Sequence, residues 1–394
     1  MPKVLFVVPH LSNSMRLLAD YLRYLDRAFE VTLFALEEDR RFEHEFPPNC
    51  RKLFQPQVPR KLAMPSQLWN IWRAARGQDL IVSWMELTPT YLCYLVGTLR
   101  RKPVVGWVHA NLTRVFELGQ RPKKLHGPVM RRVYPRLAAV MGCADGVGDD
   151  LRNKFHLANA GAIPNGTDIE RCRKLAEAPV PDRLRHVFDR PVIINVAAFH
   201  FQKNQQLLLR AHARLVREMQ VDHNLLFVGS GSLESQLRDL ATDLHVSDHV
   251  FFSGYVDNPY PLIRAARAFV LSSHWEGLPL VVAEALAVGT PVISTDCPNG
   301  PHEILDGGKY GTLVPVDNLD AMTESMREVL TDDAKHAAMR AASSDGAERM
   351  SIRPRARQLG DLFWRVLAEH GYDRAQVPAS VFDADEDAEY AITR

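Results

Sequence analysis

Short apolar runs recur along the chain, each followed by a stretch in which apolar residues return at every third or fourth position. Runs of strand length suit strands buried on both faces, and the 3.6-residue spacing suits helices that cover them. In the first part the pattern predicts strands at 3–9, 30–36, 79–83, 103–107 and 139–142, and helices at 15–25, 89–99, 129–138 and 149–155. Residues 162–164 then lead into Asn165-Gly166, a turn pair. After a Pro- and charge-rich bridge at 168–190 the alternation starts again. It predicts strands at 192–197, 225–228, 250–253, 269–272 and 291–294, with helices at 205–219, 233–244, 260–268, 279–288, 319–330 and 355–369.

Alternation of this kind specifies parallel sheet covered by helices. Two such runs in 394 residues predict an α/β protein of two doubly wound, Rossmann-like domains. The expected boundaries are 1–168 for the first domain, 169–190 for a linker and 191–354 for the second domain. A helix at 355–371 is expected to return to the first domain, and a mobile acidic tail to occupy 372–394. Ligands of open α/β sheets collect outside the carboxyl ends of the strands, so the two domains are expected to face each other across a cleft.

Composition narrows the setting. No apolar run approaches the roughly 18 residues of a membrane span, and Met1-Pro2-Lys3 enters a strand without a signal-peptide pattern, which points to the cytoplasm. Cysteines 50, 93, 143, 172 and 297 include no C-x-x-C pair, which argues for free thiols over a disulfide framework or a zinc site. The net charge of +1 conceals an asymmetry: 24 Lys+Arg against 15 Asp+Glu over 1–168, and 24 against 32 over 169–394. A basic first half suits an anionic partner. Arg121, Lys123, Lys124, Arg131, Arg132 and Arg136 interleave with Leu125, Val129, Met130, Val133 and Tyr134. Such a helix is either an ordinary solvated face or a peripheral contact with the anionic inner face of a membrane. Nucleic acid is disfavoured, because the cations lack the aromatic interleaving of a base-stacking platform.

The chemistry concentrates at Glu276-Gly277-Leu278-Pro279-Leu280-Val281-Val282-Ala283-Glu284, between the apolar runs 268–271 and 291–294. A strand that ends in a carboxylate, opens a helix near Pro279 and returns a second carboxylate about two turns later sets both acids beside one helix N-terminus. That terminus suits a phosphate, and the acids suit hydroxyl groups around it. A nucleotide sugar combines the two.

The block from Ser272-Ser273-His274-Trp275-Glu276-Gly277 to Pro298-Asn299-Gly300-Pro301-His302-Glu303 resembles the retaining glycosyltransferases of family 4, which share the two-domain GT-B fold. Gly106-Trp107-Val108-His109, Pro164-Asn165-Gly166-Thr167-Asp168, Gln202-Lys203-Asn204 and Val228-Gly229-Ser230-Gly231 match in the same order. The resemblance implies that Glu284 holds the ribose hydroxyls of the donor and that Glu276 contacts a hydroxyl of the transferred sugar. It implies further that Lys203 neutralises the diphosphate, that His109 reaches the donor sugar from the facing domain, and that the base is read near Tyr255 and Val256. Gly277, Leu278 and Leu280 would supply backbone beside the phosphates, and Asn165 is either a donor contact or a hinge turn.

No metal or other cofactor is implied. Asp383-Ala384-Asp385 has the D-x-D spacing of some metal-dependent sugar transferases, but in an acidic tail it reads as coincidence. Two places depart from the family pattern. No arginine stands between Arg190 and Lys203, where Ala197-Ala198-Phe199-His200 occupies the loop, and Pro9-His10-Leu11-Ser12 replaces a Gly-Gly turn after the first strand.

The leading expectation is a metal-independent, retaining hexosyltransferase that moves a sugar from a nucleotide diphosphate, with UDP favoured by family frequency, to a lipid-linked or surface glycan. A sugar-nucleotide epimerase on the same fold and a catalytically idle nucleotide-sugar-binding subunit remain open.

Overall fold

The structure, a computed structural model, describes residues 1–373 apart from 13, 14, 41, 118, 120 and 299. The acidic tail from 374 onward, with Asp383 and Asp385, lies outside the described residues. The chain divides into two compact units, Met1–Gly166 together with the segment from Ile352 onward, and Thr167–Ser351.

In the first unit the order is β1 (Lys3–Val8), α1 (Arg16–Tyr24), β2 (Glu30–Ala35), β3 (Arg51–Phe54), α2 (Ala63–Ala74), β4 (Leu80–Ser83) and α3 (Thr88–Arg100). It continues with β5 (Val104–Val108), α4 (Leu112–Glu117), α5 (Lys123–Val133), β6 (Ala139–Gly142), α6 (Asp145–Asn153) and β7 (Ala160–Ala162). The strands form one parallel sheet in the order β3-β2-β1-β4-β5-β6-β7.

The second unit runs α7 (Ile169–Leu175), β8 (Val192–Val196), α8 (Gln205–Arg217), β9 (Asn224–Val228), α9 (Glu234–Asp243), β10 (Val250–Phe252) and α10 (Tyr260–Ala265). Then come β11 (Ala268–Leu271), α11 (Leu280–Ala287), β12 (Val292–Thr295), α12 (Pro301–Ile304), β13 (Thr312–Val314), α13 (Leu319–Thr331) and α14 (Asp333–Arg349). Its parallel sheet has the order β10-β9-β8-β11-β12-β13. The last helix, α15 (Ile352–Glu369), belongs to the first unit, where it packs on α1.

The central strands carry the apolar runs, and their side chains disappear from solvent on both faces: Val4 to Val8 and Phe269 to Leu271 are fully buried. The first core is aromatic. Trp84 stacks on Trp107 at 4.6 Å, Tyr21 meets both edge-on, and Phe6 meets Phe363 of α15 at 5.8 Å.

Three differences from the sequence expectation have local causes. Residues 169–190 are folded rather than a linker: α7 is capped by the Asp168 carboxylate, which accepts from Arg171 N–H at 3.0 Å, and a 3-10 segment, Asp182–Asp189, follows. The basic helix begins at Lys123 directly after Pro122, not at 129, and it tolerates Pro128 inside. The helix expected at 149–155 is α6, four residues earlier, starting at Asp145.

Candidate active site

Each sheet reverses its strand order once, and a crevice opens at the carboxyl ends of the strands beside such a reversal. In the second unit the reversal lies between β8 and β11. The chain leaving β8 forms a 3-10 turn, Phe201–Lys203, passes Asn204 at φ +46° and starts α8. The chain leaving β11 runs through Ser272–Pro279 into α11. Lys203 and Glu276 therefore meet. Lys203 Nζ donates to both carboxylate oxygens of Glu276, at 2.7 and 2.8 Å, and Ser273 Oγ donates to Glu276 Oε1 at 2.6 Å. The acid side chain is 5% exposed and the lysine 23%, so the pair sits at the lip of the unit with the acid inward.

The two loops are stapled together. Ser272 Oγ donates to the Lys203 carbonyl at 2.9 Å, His274 N–H to the Gln202 carbonyl at 2.8 Å, and Gln202 Nε2 to the Trp275 carbonyl at 2.8 Å. Closure from above requires Gly300, whose φ is +88°; a Cβ there would lie 2.4 Å from Pro279 Cδ and 2.9 Å from the Gly277 carbonyl oxygen. Cys297, in the same turn, has its thiol pushed up to about 12 by burial first and by the Glu276 carboxylate second.

Glu284 lies in the second turn of α11 and accepts from the Tyr260 hydroxyl at 3.2 Å. Gly277 and Leu280 are half-buried and Leu278 is buried, all between the two acids. Tyr255 is exposed and Val256 half-buried after β10, where the Gly254 carbonyl accepts from Gly229 N–H at 3.0 Å. The Gly229-Ser230-Gly231 turn is occupied with its own chain: Phe199 N–H donates to the Ser230 carbonyl, and a Cβ on Gly231 would fall 2.3 Å from the Phe199 carbonyl oxygen. Phe199 is fully buried, so the loop where an arginine was expected supplies core rather than charge.

His109 and Asn165 belong to the first unit, at the carboxyl ends of its strands. His109 Nε2 lies 2.9 Å from the Trp84 carbonyl oxygen, its N–H donates to Glu86 Oε2 at 3.2 Å, and its ring meets Trp84 edge-on at 5.3 Å. A carbonyl only accepts, so Nε2 carries the proton. Burial lowers the pKa of this histidine, against the Glu86 carboxylate and the Trp84 carbonyl, which pull it up. The ring is therefore neutral at pH 7 and offers Nδ1 as an acceptor. Asn165 N–H donates to the Cys143 carbonyl at 2.8 Å, while its buried Oδ1 has no partner.

Sequence reasoning missed Glu86, Ser273 and Tyr260, each of which orients a predicted residue. Glu86 carried a signal, being the lone acid between Ser83 and Leu87; the other two look like ordinary strand-end and helix residues. Leu87, beside Glu86, has φ +63°, a strained conformation for a non-glycine residue, and its N–H donates to the Tyr134 hydroxyl oxygen at 2.9 Å. Among the described residues no group of three or more His, Cys, Asp or Glu is placed to hold a metal ion, and no helix is long and apolar enough to cross a membrane.

Solved structures give the class of fold. Anabaena HepE in complex with UDP and glucose superposes with a TM-score of 0.75 at 17% identity, over 92% of this chain and 99% of that one. Sucrose-phosphate synthase of Thermosynechococcus elongatus superposes at 0.71 and 21% identity, over 94% and 100%. The fold is GT-B. The sequence matches the family described as glycosyl transferases group 1 over residues 181–345, and glycosyltransferase family 4 over 14–171. The chain belongs to the group 1, family 4 glycosyltransferases. An uncharacterised glycosyltransferase of Methanocaldococcus jannaschii is 38% identical over 156 residues, a match that spans 39% of this chain and 37% of that protein. The N-acetylgalactosamine-N,N'-diacetylbacillosaminyl-diphospho-undecaprenol 4-alpha-N-acetylgalactosaminyltransferase of Campylobacter jejuni is 24% identical over 333 residues, 82% of this chain and 87% of that one.

Proposed function

We propose that this protein is a retaining hexosyltransferase that takes a sugar from a UDP-sugar and adds it to a glycan carried on a lipid diphosphate. The observation that carries this is the Lys203–Glu276 pair at the strand-order reversal, with Glu284 one short helix segment away. As the anomeric C–O bond to phosphate breaks, the leaving UDP gains negative charge. The Lys203 ammonium and the N–H groups opening α11 strengthen with that charge and lower the barrier. The acceptor hydroxyl attacks the anomeric carbon from the face UDP leaves, the new glycosidic bond forms there, and the departing phosphate oxygen takes the hydroxyl proton. Glu276 would hold a hydroxyl of the transferred sugar, and Glu284, oriented by Tyr260, the ribose hydroxyls. Gly277, Leu278 and Leu280 would present backbone to the diphosphate, Tyr255 and Val256 to the base. The part assigned to the first unit is acceptance of a sugar hydroxyl at Nδ1 of His109, with Asn165 Oδ1 as a second acceptor.

The UDP in Anabaena HepE and the diphospho-undecaprenol acceptor named for the Campylobacter relative support the choice of donor and acceptor. The buried Phe199, in a loop without a cation, favours one rival, a subunit that binds nucleotide sugar without turnover. Incubation with a panel of nucleotide sugars and membrane lipid extract, followed by mass spectrometry of lipid products, separates them. Transfer from a UDP-sugar is expected; donor turnover without any acceptor would favour the epimerase, and donor binding without turnover the idle subunit.

A further inference from the structure

The two loops that carry Lys203 and Glu276 also carry three aromatic rings. Phe201 opens the 3-10 turn after β8, and His274 and Trp275 directly precede Glu276 on the chain leaving β11. The Phe201 ring lies 4.8 Å from that of His274 and 6.1 Å from that of Trp275, and the His274 and Trp275 rings are 6.1 Å apart and within 21° of parallel. The hydrogen bonds of His274 N–H to the Gln202 carbonyl and of Gln202 Nε2 to the Trp275 carbonyl hold the cluster in place before any ligand arrives.

Clustered rings ordinarily form a core. Here Phe201 is 63% exposed, the most exposed Phe, Trp or Tyr among the described residues, while His274 and Trp275 are half-buried beside it. A carboxylate edges the cluster. Asp317, in the turn between β13 and α13, accepts from Asn204 Nδ2 at Oδ1 at 2.8 Å, and the same Oδ1 lies 3.3 Å from His274 Nδ1. Its side chain is 64% exposed, and its Oδ2 has no partner among the described residues.

A fixed aromatic surface edged by an open carboxylate matches the chemistry of a pyranose. One face of such a ring is a patch of C–H bonds that suits the negative face of an aromatic system, and the hydroxyls at its rim donate to a carboxylate. We propose that Phe201, His274 and Trp275 form a platform on which a pyranose of the acceptor glycan stacks, with Asp317 receiving its hydroxyls; the assignment to the acceptor rests on the sugar-transfer reading above. Burial separates this ring from the donor sugar. Glu276, assigned to the transferred sugar, has its side chain 5% exposed and turned inward, whereas Phe201 stands in solvent, so a ring on Phe201 is a second sugar. The Asp317 carboxylate disfavours a phosphate at this place. Because the rings are already fixed, little freedom is lost when a sugar lies on them.

Fluorine NMR of the full chain labelled with 5-fluorotryptophan tests the platform without turnover. The chain has six tryptophans, and Trp275→Phe identifies the Trp275 resonance. The probes are the methyl α-glycosides of glucose, galactose, mannose, N-acetylglucosamine and N-acetylgalactosamine, each titrated to about 50 mM, as suits the millimolar affinity of a single ring. At least one is expected to shift the Trp275 resonance. Phe201→Ala, altered at an exposed position, should keep its circular dichroism and weaken that titration about tenfold. No shift with any of these glycosides, or a titration untouched by Phe201→Ala, would overturn the proposal. UDP binding weakened about tenfold by the same variant would give the platform to the base and overturn it as well. In transfer from a UDP-sugar to membrane lipid extract, Phe201→Ala should raise the extract concentration for half-maximal rate about tenfold and leave the UDP-sugar half-saturation within about twofold. The reverse pattern would put the donor sugar on Phe201 and sink the acceptor assignment. Glycoside binding at Trp275 in a chain that transfers nothing would overturn the transfer reading and support the platform, so the two fail separately.

Discussion

Glu276 is held by three donated hydrogen bonds, two from Lys203 and one from Ser273, with its side chain 5% exposed. Removal of one partner of a buried pair leaves a charge without compensation, which typically costs about 3–5 kcal/mol, whereas removal of both costs far less. Lys203→Ala is therefore expected to lower the urea midpoint strongly as well as to abolish transfer. The Lys203→Met, Glu276→Gln double variant should recover most of the stability and none of the activity. If Lys203→Ala and the double variant were equally stable, Lys203 and Glu276 would not act as one structural unit. Glu284 differs in this respect. It accepts from the neutral Tyr260 hydroxyl at 3.2 Å, a bond that a glutamine oxygen can also accept, so Glu284→Gln should weaken UDP-sugar binding by about tenfold or more in calorimetry while the melting temperature stays within a few degrees.

At the level of elements, buried strands and the helices with one apolar stripe were legible in sequence because burial writes itself as a run or a period. β3 was not legible, since it is an edge strand with no fully buried residue. Neither was α2: Leu68, Ile71, Trp72 and Ala75 keep helical spacing, but only Ile71 is buried within the helix, while Met64 and Trp69 are exposed and blur the apolar stripe. α14 buries only Ser343, Gly346 and Ala347 and carries no large apolar stripe. For the candidate site, strand-end position and motif picked out Glu276, Glu284, Lys203 and His109, while the orienting partners come from distant segments that no local pattern connects. The junction of α8 and β9 hid another such feature. His212 Nδ1 lies 2.8 Å from His223 Nε2, and His223 Nδ1 faces the Val221 carbonyl at 2.9 Å. The carbonyl fixes the proton on His223 Nδ1, so His212 donates and both rings are neutral. Burial lowers the pKa of both, His223 to about 4, with His249 adding to the effect and Asp222 opposing it for His223. The unfolded chain takes up these protons near pH 6.5 and the folded chain does not until lower pH. Stability should thus be flat above about pH 7 and fall as pH drops toward 4, by up to about 1.4 kcal/mol per pH unit for each histidine. Urea melts at pH 7, 6 and 5 test this, and the His212→Leu variant should show a shallower slope; an unchanged slope would remove the pair from the account.

The whole molecule is not two consecutive lengths of chain. The second unit is continuous from Thr167 to Ser351, with its own core of Ile193, Phe227, Val270, Ile293 and their neighbours. The first is discontinuous, because α15 returns Ile352, Ala356, Leu359, Leu362, Phe363, Trp364, Val366 and Leu367 to a core that includes Phe6, Leu25 and Phe29. Burial of one such side chain contributes about 1.5–3 kcal/mol. The whole set therefore rivals the roughly 5–15 kcal/mol by which a domain is stable, and residues 1–166 alone should fail to fold. A chain of residues 167–351 should in contrast melt cooperatively on its own, with native far-ultraviolet circular dichroism. Supplying 352–373 to the first segment through a flexible linker after Gly166 should restore a single cooperative transition, since the helix needs only proximity to find its groove beside α1. A cooperative melt for 1–166 without the helix would mean that the contacts of α15 with Phe29 and Phe6 are dispensable. The aromatic core would then be stable on the sheet and α1 alone.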